Sequence, residues 1–249
     1  PARWLDDDTG YTTLEPNSSN KSVKEIIRYD IDGAERSVLV TAKQLQPPHK
    51  EKPLIIKNYD WSPNRKLLLI FTNSKRVWRK NTRGDYWVLD LESGKLTQLG
   101  GDAKPATLMF AKFSPDNNAV AYVRDNNIYV ESVTSGEIIQ LTADGGDSII
   151  NGTSDWVYEE EFSIVRAFEW NSDSSKIVFI RFDETEVPEF SMDVYGKELY
   201  PSQQVFKYPK AGENNSKLEL HLFDINSDNL SKIDLNGFEN YYIPRIQWT

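Results

Sequence analysis

Residues 155–162 run Asp155-Trp156-Val157-Tyr158-Glu159-Glu160-Glu161-Phe162. Three adjacent carboxylates stand among large aromatic side chains. Like charges this crowded repel unless a cation, a proton or bulk water relieves them. Partial burial beside aromatics makes an unrelieved cluster costlier still. A bound ammonium group would resolve the conflict, because its donors make charge-assisted bonds to carboxylates that are roughly twice as strong as neutral ones. A solvated acidic turn would accommodate the same residues without any ligand.

Other chemistries find little support. The chain has no cysteine and only two histidines, His49 and His221, so thiolate metal sites are excluded and no HExxH pair exists. No metal site and no cofactor are expected. The nucleophile-elbow pattern Gly-x-Ser-x-Gly is absent, so no catalytic residue is assigned within this chain. His49 lies in the polar loop Pro47-Pro48-His49-Lys50, and His221 alternates within the strand-like Leu218-Glu219-Leu220-His221-Leu222. Neither reads as a general base. The net charge of −9 argues against a nucleic-acid partner and weakly favours cationic peptides. Asn-x-Ser/Thr sequons at Asn17, Asn20, Asn151, Asn214 and Asn229 matter only in a glycosylating pathway.

The elements that must carry the acidic run are strands. Asp60-Trp61-Ser62-Pro63-Asn64 precedes the apolar run Leu67–Phe71. Lys112-Phe113-Ser114-Pro115-Asp116-Asn117 precedes Ala119–Val123, and Glu169-Trp170-Asn171-Ser172-Asp173 precedes Ile177–Ile180. Ile246-Gln247-Trp248-Thr249 resembles the start of a further copy. Each unit reads as an aromatic, a turn and a buried strand, with Pro, Asn and Asp as turn formers. A second half-unit follows: Tyr86–Leu91, Glu92-Ser93-Gly94, then Lys95–Leu99; Ile128–Val133, Thr134-Ser135-Gly136, then Glu137–Leu141; and Leu218–Ile225 with Leu230–Leu235. Trp61, Phe113 and Trp170 are 52 and 57 residues apart. Four-strand units at roughly 40–50 residues mark β-propeller blades, here slightly lengthened by insertions.

Between Trp170 and Trp248 lies an insertion at about 183–212, holding Pro188, Pro201 and Pro209 with Tyr195, Tyr200, Phe206 and Tyr208. It is too aromatic for a disordered linker. It reads as an arm that packs on something, or as a long loop folded on its own blade. The expected fold class is all-β: a propeller fragment of about four four-stranded blades. Residues 1–57 form an irregular first blade, 58–182 blades with the Glu motif, 183–212 the arm and 213–249 further blade strands. The chain starts at Pro1 without a methionine and reads as a segment of something longer.

Asp155-Trp-Val-Tyr-Glu-Glu-Glu161 resembles the signature of the dipeptidyl peptidase IV family, serine exopeptidases of the prolyl oligopeptidase clan. Asp183-Glu-Thr-Glu-Val-Pro188 and Tyr208-Pro-Lys-Ala-Gly212 resemble the same family. The resemblance implies half of an eight-bladed propeller that precedes an α/β-hydrolase domain absent from this chain, so that the chain alone is inactive. It implies that Glu160 and Glu161 hold the free N-terminal ammonium of a peptide, so that dipeptides, X-Pro or X-Ala, are released. On one helical turn adjacent residues are about 100° apart, so both carboxylates can face one point.

It also implies that Arg79, in Val77-Trp78-Arg79-Lys80, contacts the peptide and braces a glutamate, a task suited to planar guanidinium. The segment after Arg79 departs from the animal enzymes, which leaves Arg76 and Arg83 as alternatives. Asp155, Trp156 and Tyr158 support the motif, and Glu159 faces outward or joins a salt bridge. Peptides with a free N-terminus are the expected partners. A homodimer through 183–212 and a bacterial, exported parent (periplasmic, secreted or cell-surface) are further expectations. A non-catalytic interaction scaffold is the alternative, and it leaves the glutamate run unexplained.

Overall fold

The computed structural model describes residues 2–5, 9–31, 35–235, 237 and 241–248. Its regular elements among the described residues are strands apart from one short helix, and the chain divides into two compact units: 1–75 with 84–106, and 76–83 with 107–249. No helix among the described residues is long and apolar enough to cross a membrane.

In the first unit, β1 (Arg3–Trp4), β2 (Gly10–Pro16), β3 (Lys24–Asp30) and β4 (Arg36–Val40) form an antiparallel sheet in sequence order. These four strands lie within the stretch 1–57 that the sequence reads as an irregular first blade. The meander of β1–β4 lacks the aromatic-Ser-Pro turn and so does not show as a repeat. Its continuation is β5 (Ile56–Trp61), β6 (Leu67–Lys75), β7 (Arg83–Asp90) and β8 (Leu96–Gln98), again neighbours in sequence order. Ile26, Val40, Ile56, Leu68, Ile70, Trp87 and Leu89 bury their side chains together, joining both sheets in one core. Removing this apolar area from water is the main force holding the unit.

The second unit begins its strands with β9 (Leu108–Phe113), β10 (Ala119–Arg124), β11 (Asn127–Ser132) and β12 (Ile138–Gln140), a plain meander. A more elaborate sheet follows. β15 (Lys176–Asp183) pairs along its whole length with β18 (Lys217–Asp224), which pairs with β19 (Asn229–Ile233). The other edge of β15 is shared by two short strands, β13 (Ile149–Asn151) and β14 (Phe168–Trp170). Helix α1 (Trp156–Phe162) occupies the chain between them. The arm, β16 (Glu189–Val194) paired with β17 (Ser202–Lys207), is inserted between the adjacent strands β15 and β18.

The repeated turn has a shared physical basis. The backbone N–H of Leu67 donates to Ser62 Oγ at 3.0 Å, that of Ala119 to Ser114 Oγ at 3.0 Å, and that of Lys176 to Asn171 Oδ1 at 2.8 Å. Residues Arg65, Asn117 and Ser174, three positions on in each case, take φ of 62°, 70° and 65°. The third copy has no proline, so the side-chain acceptor at the first position is the common ingredient. At the second half-unit, Gly94 and Gly136 sit at φ of 72° and 73°, the left-handed region glycine enters at least cost. In the last copy, Ile246–Trp248 adds no strand, and Thr249 lies outside the described residues.

Candidate functional site

The acidic run sits where an edge strand is interrupted. Gly152 N–H donates to Ile180 O, Ala167 N–H to Gly152 O, and Ile180 N–H to Ala167 O. Thr153 bridges Arg166. These bonds close the base of a loop that projects the helix from the sheet edge. Asp155 starts the helix as its N-cap, with Oδ1 accepting from Tyr158 N–H at 2.9 Å. Ser163 ends it in the left-handed conformation, φ 57°, and Ile164 N–H closes on Tyr158 O. Helix α1 is thus two turns fixed at both ends.

Asp155 is also tied at its other oxygen, which accepts from Ser216 Oγ at 2.5 Å. Burial pushes its carboxyl above the usual aspartate range, and the two hydrogen bonds only partly offset this. Tyr158 is buried against Phe162 and Phe182, ring centroids 5.0 Å away in each case. Its hydroxyl accepts from Ile243 N–H at 2.7 Å, and burial makes it a weaker acid, with its pKa pushed up to about 12. Trp156 packs edge-on against Tyr208 from the base of the arm, 4.4 Å between centroids.

Glu159 and Glu160 meet the segment 76–80, which belongs to the same unit. Arg79 Nε donates to Glu160 Oε1 at 2.5 Å, while Arg79's own backbone N–H donates to Glu159 Oε1 at 3.1 Å. Glu159 is only 7% exposed, which corrects the outward-facing expectation. It is neither solvated nor in a salt bridge, but pins the Arg79 main chain. Glu160 is largely covered with a 13% exposed side chain, and Glu161, one residue on, is exposed. Among the described residues, no hydrogen bond or ion pair reaches Glu161. Of the three arginines, Arg79 is the one that meets the helix. Arg76 Nε donates to Trp78 O, and Arg83 lines a neighbouring cavity.

Sequence reasoning missed two features. Phe206 packs 5.0 Å from Trp78, and Tyr208 from Trp156, so the base of the arm supports both sides of the site. Glu184, at the start of the insertion, is buried, and burial with the nearby Asp155 charge pushes its carboxyl up to about 8. The aromatic content of 183–212 was the available signal for the first; nothing local marked the second. Asn151 is fully buried, with its amide donating to Asp144, so this sequon has no surface for a glycan. His221 lies in β18 beside Glu219.

An antiparallel all-β chain with a short helix at a sheet edge is the kind of architecture a propeller supplies. The model of the family described as dipeptidyl peptidase IV (DPP IV) N-terminal region matches residues 62–249. A relative from Chaetomium globosum named "Probable dipeptidyl-aminopeptidase B" is 38% identical over 190 residues, 71% of this chain and 20% of its own length. One of the same name from Paracoccidioides brasiliensis is 36% identical over 202 residues, 75% of this chain and 22% of its own length. The crystal structure of Porphyromonas gingivalis dipeptidyl peptidase 4 superposes with a TM-score of 0.85 at 32% identity, covering 98% of this chain and 34% of that one. The chain belongs to the dipeptidyl peptidase IV N-terminal region family, and spans about a fifth to a third of the length of these relatives.

Proposed function

We propose that this chain is the peptide-recognition part of a dipeptidyl peptidase IV-like serine exopeptidase, and that Glu160 and Glu161 grip the free N-terminal ammonium of the substrate. The reading rests on one observation: Glu160 is held by Arg79, while its neighbour Glu161 on the same short helix is exposed and unpartnered. A peptide amine has a pKa of about 7.7–8.0 and is largely charged near neutral pH. Its three donors suit two carboxylates and one further acceptor.

Arg79 is 74% exposed at its side chain even while bonded to Glu160, so its remaining donors can take a substrate carbonyl. Such an anchor measures distance from the chain end, which is what release of dipeptides requires. Bond cleavage falls to a hydrolase domain outside these residues, and so does preference for proline or alanine at the second position.

In the complete enzyme, Glu160→Gln or Glu161→Gln should lower kcat/KM for free-amine dipeptidyl substrates by more than about tenfold, roughly 1.4 kcal/mol of transition-state binding. A fall of less than about twofold for both would remove them from the site. The arm exposes Tyr195, Leu199 and Tyr200 at 79%, 89% and 79%. We infer that this tip meets a second copy. Deleting 195–201 should lower the sedimenting mass of the complete protein towards that of a monomer, and an unchanged mass contradicts the assignment.

A further inference from the structure

Next to α1, a cavity of about 380 Å³ opens among Trp78, Trp156, Phe206, Asp155 and Glu184, all within the second unit. Its volume falls at the small end of the range for ligand sites. The aromatic side chains are already locked. Trp78 packs on Phe206, and Trp156 on Tyr208. The carboxylates differ in how they are satisfied. Asp155 accepts from Tyr158 N–H and Ser216 Oγ. Glu189 pairs with Lys207 at 3.6 Å, and Lys207 Nζ donates to Val187 O.

Glu184 has no such partner. Its backbone is fixed, with N–H donating to Ser148 O at 2.7 Å and its carbonyl accepting from Val187 N–H at 3.0 Å. Its side chain is 7% exposed and lines the cavity, yet no hydrogen bond or ion pair among the described residues reaches its carboxyl. A buried polar group normally has a partner, and one left without marks a place for a ligand or water.

Several observations narrow the ligand. The lining carries the carboxyls of Asp147, Asp155, Glu184 and Glu189 against two cations, Arg83 and Lys207, and Lys207 is engaged by Glu189 and the Val187 carbonyl, so the unsatisfied Glu184 calls for a donor of positive charge. Aromatic walls favour a cation over their ring faces. A metal ion is disfavoured, since no group of three or more His, Asp or Glu able to hold one exists among the described residues. A quaternary ammonium has no N–H to give Glu184. We propose that this cavity binds a primary alkylammonium group, with Glu184 accepting its hydrogen bonds and Trp78, Trp156 and Phe206 enclosing its chain. The source is a free alkylamine or a lysine side chain. This site differs from the peptide-amine anchor, because neither Glu160 nor Glu161 lines it.

The test is calorimetric titration of the complete protein at pH 8.5 with n-butylammonium, with Nα-acetyl-lysinamide (whose α-amine is blocked) and with tetramethylammonium. Saturable binding of n-butylammonium, at least fivefold weaker in Glu184→Gln and unchanged in Glu160→Gln, is expected. Binding of the lysinamide as well identifies the side chain as the source; n-butylammonium binding alone identifies a free amine. Tetramethylammonium should bind at least fivefold more weakly than n-butylammonium. Should E184Q fail to fold, Val205→Trp, which crowds the cavity from β17, must weaken binding in the same way. No saturable binding, equal binding by wild type and E184Q, equal or tighter binding of tetramethylammonium, or loss in Glu160→Gln alone would overturn the proposal. The last result would put the amine on the peptide anchor and leave that reading intact.

Discussion

The β9–β12 meander and the β13–β19 sheet are built from the same repeat and put it to different use. In the first, four strands follow one another through short turns, and Ala121, Val123, Ile128 and Val130 bury their side chains in a common core. In the second, β15 keeps its central role, but one neighbour is split by α1 and the connection to the other is interrupted by the arm. The uninterrupted sheet spends its residues on packing. The interrupted one carries the unpartnered carboxylates, the exposed aromatics and the cavity. Inserting polar segments at an edge leaves the core strands undisturbed, which is why a rigid sheet can support a recognition element.

This contrast can be broken by substitution. Phe179→Ala, in the buried part of β15, removes a fully covered aromatic and should cost about 3–5 kcal/mol in chemical denaturation, as for any large core aromatic. A loss below about 1 kcal/mol would mean that β15 is not the structural centre of this sheet.

Glu184→Gln probes the interrupted side with the opposite sign. Burial holds the folded carboxyl near 8 against an ordinary value of 4.5, with Asp155 adding to the rise and Lys207 opposing it. A raised acid pKa means that the native state binds the extra proton. The contribution is fully present below pH 4.5 and is lost as pH climbs through 8. The wild type should therefore weaken over that window relative to Glu184→Gln. The two should be nearly equal near pH 4 and differ by roughly 4–5 kcal/mol at pH 8.5, one pKa unit being about 1.4 kcal/mol. Parallel pH profiles would show that the carboxyl ionises freely.

Phe206→Ala sharpens the comparison at the smallest scale. It lies on the hairpin against Trp78, outside the buried cores, and should cost roughly 1 kcal/mol in global stability. It should raise KM for peptides in the complete enzyme, because Trp78 precedes Arg79. An unchanged KM would separate the arm from the site.

The repeats were legible because each puts an aromatic, a side-chain acceptor and an apolar strand in fixed order. Ser62, Ser114 and Asn171 carry the turn through their side-chain acceptors, beside the Pro, Asn and Asp that marked it in the sequence. Strands β1–β4 were not legible: the turn between β2 and β3 closes on the Asn17 and Asn20 side chains, but no aromatic-Ser-Pro order marks it as a further copy. The glutamate run was visible as a charge conflict, and a short helix there was foreseeable. Which face each residue takes was not, since seven residues of helix show too little periodicity to separate Glu159 from Glu160. Glu184 was hidden for another reason. Its burial depends on β17 and α1 folding over it, a long-range event with no mark in Asp183-Glu184-Thr185-Glu186.

The central claim is that Glu160 and Glu161 surround a protonated amine. The most direct measurement is the pKa of an ¹⁵N-labelled α-amine in a non-hydrolysable peptide analogue bound to the complete enzyme, followed by NMR. Two carboxylates stabilise the charged form, so the bound amine should titrate at least one unit above its free value of about 7.7–8.0, and Glu161→Gln should reduce that rise. A bound amine that titrates at its free value, or below it, would contradict the account.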